Sequence, residues 1–212
     1  MKLYTYWRSS AAYRVRIGIE LKGLAREDVA VDLSKGEQNS PAYRKRNPQG
    51  LLPLLEDGET SIGQSLAILE YLDERYPEPP LLPEEPAARA RVRQLALLIA
   101  CEIHPLNNPR VLGYVTGELG QSDDARLRWY RHWIATGLGA FEALLQESPQ
   151  TGRFCHGNTP TLADIVLVPQ IYNARRFECD LAALPRIVAI DAQCRELPAF
   201  KAAAPEAQPD AP

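Results

Sequence analysis

The sequence predicts an α/β domain followed by an all-α domain, on three observations. Residues 1–81 alternate short β-branched or aromatic runs with helical stretches, residues beyond 87 carry helical periodicity only, and a proline cluster separates the two parts. That cluster, PEPPLLPEEP at 77–86, puts five prolines into ten residues, which disfavours a helix and favours a stiff extended connector. The organisation read from it is an α/β domain over 1–81, a Pro-rich linker over 77–86 and a helical domain over 87–212. A chain of 212 residues has length for one large domain or two small ones, and the proline cluster selects two.

In the first part, Leu3-Tyr4-Thr5-Tyr6-Trp7 is aromatic and β-branched and reads as a strand. Ala11 to Lys22 carries Val15, Ile17, Ile19 and Leu21 and stops at Gly23, as a helix does. Val29-Ala30-Val31 reads as a second strand and Pro41 to Arg46 as a short helix. Leu51 to Leu55 and Thr60 to Ile62 form two strands joined by Glu56-Asp57-Gly58-Glu59, where Asp-Gly is a hairpin signal. A helix from Ser65 to about Arg75 buries Leu66, Ile68, Leu69 and Leu72. The order is β-α-β-α-β-β-α.

In the second part, Val92, Leu95, Ala96, Ile99 and Ile103 recur at helical spacing, as do Leu127, Tyr130, Ile134, Leu138, Phe141 and Leu145. The first of these helices is either a core helix or part of an interface, which periodicity does not separate. Thr161 and Asp164 form a capping box ahead of Ile165 to Val168. The final AAAPEAQPDAP is of low complexity and is expected to fray.

Composition narrows the function. Apolar residues at 45% and charged ones at 24% are those of a folded globular protein. The net charge of −3 is evenly spread, with no run of Lys and Arg, which speaks against nucleic-acid binding. Nineteen of the 24 basic residues are Arg, a side chain suited to bidentate carboxylate recognition. Cys101, Cys155, Cys179 and Cys194 lie far apart with no CxxC pair and no His at ligand spacing, so neither a metal site nor a dithiol motif is expected. No apolar run approaches the roughly 20 residues of a membrane helix, and the N-terminus lacks a signal pattern; a reducing cytoplasm is the expected location.

Three local patterns carry chemistry. Ser9 and Ser10 stand between a strand and a helix, where a hydroxyl sits at the positive end of the helix beside unpaired N–H donors and stabilises an anion; plain N-capping explains them as well. Gln64-Ser65 repeats the arrangement at a later helix, with the same alternative. Leu52-Pro53 opens a strand, so Pro53 is either an ordinary edge proline or the second residue of a cis bond. His104, next to Pro105 at a helix end, is by itself consistent with a dipole partner or an interfacial histidine.

These patterns coincide with longer matches: Arg8-Ser-Ser-Ala-Ala-Tyr-Arg-Val-Arg-Ile17, Asn47-Pro-Gln-Gly-Leu-Leu-Pro53, Gln64-Ser-Leu-Ala-Ile-Leu-Glu-Tyr-Leu72, Ile103-His-Pro-Leu-Asn-Asn108 and Thr161-Leu-Ala-Asp164. Through them, over nearly its whole length, the chain resembles the zeta class of glutathione transferases, the family of maleylacetoacetate and maleylpyruvate isomerases. The resemblance implies a thioredoxin-like N-terminal domain, an all-α C-terminal domain, a homodimer and glutathione as cofactor. It implies that Ser10, with Ser9, stabilises the glutathione thiolate, and that the Leu52-Pro53 bond is cis and turns the Leu52 backbone toward the cysteinyl part of the peptide. Gln64 and Ser65 then receive the γ-glutamyl carboxylate, while Ala11, Gln38, His104, Asn108 and Arg110 lie at family positions near glutathione, His104 as a hydrogen-bonding residue without an acid-base task. Arg8, Arg110 and Arg176 match positions around the substrate cavity and suit a small dicarboxylate keto acid; Arg175 has no such counterpart. Where some zeta enzymes have Cys and Ser, this chain has Ala11 and Ala12, so the working thiolate belongs to the cofactor.

The function so implied is glutathione-dependent cis-trans isomerisation of a maleyl keto acid, maleylacetoacetate to fumarylacetoacetate, in aromatic amino acid breakdown. The alternatives are maleylpyruvate isomerisation, conjugation or dehalogenation of small α-haloacids by the same thiolate, and a ligand-binding scaffold without turnover.

Overall fold

The computed structural model describes residues 1–212, and the chain divides into two units, Met1–Leu81 with Arg195–Pro212, and Leu82–Cys194. The first unit has the α/β, thioredoxin-like architecture expected of it. Its strands β1 (Lys2–Thr5), β2 (Glu27–Ala30), β3 (Leu54–Asp57) and β4 (Thr60–Gly63) form one mixed sheet in the order β2-β1-β3-β4. β1 runs parallel to β2 and antiparallel to β3, and β3 and β4 form the hairpin. Helices α1 (Ser10–Leu21), α2 (Pro41–Arg46) and α3 (Ser65–Arg75) complete the predicted order.

Strand periodicity assigns the faces. Leu3 pairs with Leu55 on one face and Tyr4 with Leu54 on the other. The Tyr4 face packs with Val31, Tyr43 of α2 and Leu52, the two tyrosine rings meeting edge-on at 6.0 Å. Helix α1 is enclosed on every side from Ala12 to Ile19, including Arg14 and Arg16. It packs against α3 so closely that a Cβ on Gly18 would run into the Leu69 side chain, itself fully buried. Gly18→Ala is therefore expected to cost about 1–3 kcal/mol by overpacking; a lower urea midpoint at unchanged slope is the check.

β3 begins at Leu54, three residues later than Leu51, where the sequence reading started it. The Leu52-Pro53 bond is cis, and the ladder to β1 forms only beyond it. The proline cluster contains no helix before Pro86, which occupies the first position of the following helix. Its start is fastened to the first unit by the buried ammonium of Lys22, which donates to Asp73 Oδ1 at 2.9 Å, Tyr76 O at 2.6 Å and Pro79 O at 2.9 Å.

One expectation is overturned. Residues 195–212 belong with the first unit, not with the helical part, and the final stretch does not fray. Helix α9 (Pro198–Ala203), numbered after the helices of the second unit, buries Phe200 and Ala203 against α1. Beyond it, Gln208 folds back to donate to the carbonyls of Ala202 and Ala204 at 2.9 and 2.8 Å. Low complexity concealed this because the anchors are one phenyl ring and several backbone carbonyls.

The second unit is all helical: α4 (Pro86–Leu97), α5 (Pro109–Gly117), α6 (Asp123–Glu147), α7 (Leu162–Arg176) and α8 (Pro185–Arg195). Leu98–Ile103 continues α4 as a π-helical stretch. Val92, Leu95, Ala96, Ile99 and Ile103 are all buried within the chain, so this apolar stripe is core. α7 is buried continuously from Leu162 to Ile171, as a central helix is. At its head the buried Asp164 carboxylate accepts from Thr161 N at 2.8 Å, Thr161 Oγ1 at 2.9 Å and Cys155 N at 2.8 Å. All four cysteines are free, and no helix is long and apolar enough to cross a membrane.

Candidate active site

The first unit gathers most of the residues singled out by sequence. The connection from β1 to α1 carries Arg8 and Ser9. Ser9 is the N-cap of α1, its Oγ accepting from Ala12 N at 3.3 Å, so the bland capping role is real for this serine. Ser10 and Ala11 are the first two helical residues, where backbone N–H groups have no intrahelical acceptor and the helix dipole is positive. Both serines are half-buried.

Arg14 stands one turn after Ser10 on the same face of α1, and its guanidinium donates to Ser65 Oγ at 3.3 Å. Ser65 is buried and is the first residue of α3. The head of α3 is thus hydrogen-bonded to a buried side chain of α1, and each of the two serines stands at the positive end of its own helix, where an anion is stabilised. Sequence reasoning missed Arg14 because an Arg in a helix is ordinarily a surface residue.

Before Ser65, Gln64 has φ +69° and ψ 116°, a strained conformation for a residue with a side chain. Its Nε2 donates to Gln49 Oε1 at 2.8 Å, tying the head of α3 to the 47–53 loop. That loop is built around buried Asn47, which receives Gln49 N on its Oδ1 at 3.2 Å and donates through Nδ2 to Leu51 O at 2.8 Å. Tyr43 OH reaches the same carbonyl at 2.7 Å, and burial pushes its pKa up to about 12. With the Leu51 carbonyl doubly held, the chain passes into Leu52 and the cis bond to Pro53, and Leu52 lies before the register of β3. Gly50 is required in this turn, with φ +62° and a would-be Cβ only 3.1 Å from Gln38 O. Gln38, in a 3-10 turn over Glu37–Asn39, is brought to this loop, and its Oε1 is buried without a partner. An orphaned buried acceptor fits a ligand N–H. Asn47, Tyr43, Gln49 and Gly50 were legible only as parts of a motif; none announces a role by type.

In the second unit, His104 caps the π-helical stretch and Asn108 is the N-cap of α5, its Oδ1 accepting from Arg110 N at 3.1 Å. Arg110 itself is exposed. Neighbouring Asn107 is buried and donates to Tyr130 O of α6 at 3.2 Å. Against the Tyr130 ring lies Phe177 at 3.9 Å, and exposed Arg176 stacks over Phe177 at 5.0 Å. Tyr130 thereby relates the 104–110 segment to the end of α7. Arg175 is differently employed, in an ion pair with buried Asp191.

Comparison with known proteins identifies the family. The model of the "Glutathione S-transferase, N-terminal domain" family matches residues 3–80. The Vibrio cholerae serotype O1 protein named "Probable maleylacetoacetate isomerase" is 52% identical over 211 residues, spanning 99% of this chain and 97% of that one. The holo structure of a maleyl pyruvate isomerase, described as a bacterial glutathione S-transferase in the zeta class, superposes with a TM-score of 0.98 at 48% identity over 100% of both chains. The maleylacetoacetate isomerase of Methylobacterium extorquens AM1, solved with malonate and GSH bound, does so at 0.97 with 43% identity, again over 100% of both. An identity near one half across the whole length, together with two helix-heading serines and the cis Leu52-Pro53 bond, places this chain in the zeta class of the glutathione transferase family, among the maleylacetoacetate and maleylpyruvate isomerases.

Proposed function

We propose that this chain catalyses the glutathione-dependent cis-trans isomerisation of a maleyl keto acid, with maleylacetoacetate as first substrate and maleylpyruvate as second. The observation that carries it is the pair of helix heads at Ser10 and Ser65, the second hydrogen-bonded to buried Arg14 of α1, in the same unit as the cis Leu52-Pro53 bond and the unpaired Gln38 Oε1. When bound, glutathione supplies a thiolate nucleophile that is regenerated in each turnover, which makes it a cofactor. Ser10 donates a hydrogen bond to that sulfur while the N-terminus of α1, with Ala11 N–H, stabilises its charge. The Leu52 backbone pairs with the peptide's cysteinyl part, Pro53 fixing its direction. Gln64 and Ser65 take the γ-glutamyl carboxylate at the head of α3. Gln38, His104 and Asn108 add hydrogen bonds.

Arg8, Arg110 and Arg176 hold the substrate's carboxylates and spread the negative charge that develops on its carbonyl oxygen. The Methylobacterium extorquens relative, solved with both malonate and GSH bound, supports a dicarboxylate ligand. The second substrate is retained because relatives of nearly equal identity carry both names, and a difference of a few atoms is worth only about 1–3 kcal/mol of discrimination. A cytoplasmic homodimer completes the reading, and light scattering at the mass of two chains is the result it expects. Parallel assays of purified protein on maleylacetoacetate and maleylpyruvate, with and without glutathione, rank the substrates; activity on neither would end the isomerase reading.

Arg14 gives a separate check. Arg14→Met removes the buried cation that links α1 to the head of α3 and leaves Ser65 Oγ without that donor. Glutathione Kd is expected to rise about tenfold or more, the scale of a lost charge-assisted hydrogen bond. Calorimetric titration beside a thermal melt reads binding separately from stability.

A further inference from the structure

The four residues between β1 and α1 carry Arg8 and Ser9 and deliver Ser10, yet they have little local structure of their own: a single short-range bond, Ser9 N to Tyr6 O at 2.9 Å, spans them. What fixes them is a buried side chain of α1 and the C-terminal stretch. Arg16, fully buried, donates through Nη1 to Thr5 Oγ1 at 3.0 Å and Tyr6 O at 3.3 Å, and through Nη2 to Trp7 O at 2.8 Å. Its Nε donates to Ala203 O at 3.1 Å, at the end of α9. Asp210 accepts Trp7 N on Oδ2 at 2.8 Å. Both backbone groups of Trp7 are therefore clamped, the carbonyl by Arg16 and the N–H by Asp210. The Trp7 ring in turn supports the Arg8 guanidinium at 4.9 Å. Asp210 is itself held, since Gln208 pins the preceding turn to the carbonyls of Ala202 and Ala204 while Phe200 and Pro205 are buried. Desolvation lowers the Arg16 pKa to about 10, which leaves it charged at neutral pH, and the Asp210 charge acts on it favourably.

We propose that Asp210 is a positioning residue for the active site: through Trp7 N it fixes the β1–α1 connection and so sets where Ser9 and Ser10 meet the glutathione sulfur. The inference rests on the glutathione-isomerase reading, in which Ser10 works on the cofactor. A hydrogen bond to a backbone N–H needs an acceptor oxygen and no charge, so Asn keeps the bond to Trp7 N, whereas Ala does not. Misplacement of a catalytic group by a fraction of an ångström is felt in the chemical step more than in ground-state binding.

The test compares Asp210→Ala, Asp210→Asn and Ser10→Ala in the full chain. Expected for Asp210→Ala is a fall in kcat of about tenfold, little change in glutathione Kd by calorimetry below the pH at which the bound thiol titrates, and an upward shift in the pKa of the bound thiol, followed by thiolate absorbance. Asp210→Asn restores all three. Wild-type kcat and thiol pKa in Asp210→Ala, with Ser10→Ala crippled, would overturn the positioning role and leave the isomerase reading standing. A fall in Asp210→Ala that Asn does not restore, accompanied by a lower melting temperature, would equally overturn it, as a structural effect. If the unmodified enzyme showed no glutathione-dependent isomerisation, the underlying reading would fail, and this inference with it.

Discussion

Ser10→Ala is expected to lower kcat about 10²-fold or more, the usual cost of removing one donor that stabilises developing or resting negative charge. Ser10 lies where the α1 N–H groups and dipole already favour an anion, so its hydroxyl adds one directed hydrogen bond to a prepared field. The thiol of bound glutathione should then titrate nearer its free value of about 8.5. Below the pH at which the bound thiol titrates, glutathione affinity should change little, because the Leu52 loop and the head of α3 hold the rest of the peptide. Ser9→Ala is the natural companion: its Oγ is committed to Ala12 N, so it should lose about 1 kcal/mol of stability with a smaller loss of rate. Rates for Ser10→Ala close to wild type would contradict the assignment.

The largest stability effect is expected at Asp164. Its carboxylate, fully buried, satisfies Thr161 N, Thr161 Oγ1 and Cys155 N together, at 2.8–2.9 Å. Burial pushes its pKa up, and those donors pull against that rise. Asp164→Ala strands three buried donors at the head of the central helix, each costing about 1–3 kcal/mol when left unpaired, so a loss of at least 3 kcal/mol is expected. Chemical denaturation of the two variants Asp164→Ala and Asp164→Asn reads it, with Asn recovering part through its one carbonyl oxygen. A loss under about 1 kcal/mol for Ala would show that the donors find other acceptors.

How much of this was legible differs element by element. Strand and helix order in residues 1–81 followed from alternation and from stop signals such as Gly23, and the Thr161/Asp164 pattern marked the head of α7. The same logic failed where side chains act at long range. Arg14 and Arg16 are among the largest fully enclosed side chains, but nothing in Arg-Val-Arg distinguishes buried cations from solvated ones. Their burial follows from α1 being covered on all sides by the sheet, α3 and α9, which is a tertiary fact. Residues 195–212 were misread for the same reason: what holds them is one phenyl ring, Arg16 reaching Ala203 O, and Trp7 reaching Asp210.

Within the site, the serines, Leu52-Pro53 and Gln64-Ser65 stood out as motifs, whereas the strain at Gln64 and the double hold on the Leu51 carbonyl did not. Positive φ at a glutamine runs against its residue preference and is imposed by its surroundings, including Gln49. The π-helical turn at Leu98–Ile103 was likewise hidden, since its buried spacing reads as an ordinary helix.

The central claim is that the working sulfur is borrowed and returned. Following free thiol concentration while purified enzyme turns over maleylacetoacetate many times per glutathione tests it most directly. Isomerisation that requires glutathione and leaves its concentration constant is the predicted result. Thiol consumed in step with product would contradict it and make the chain a conjugating transferase.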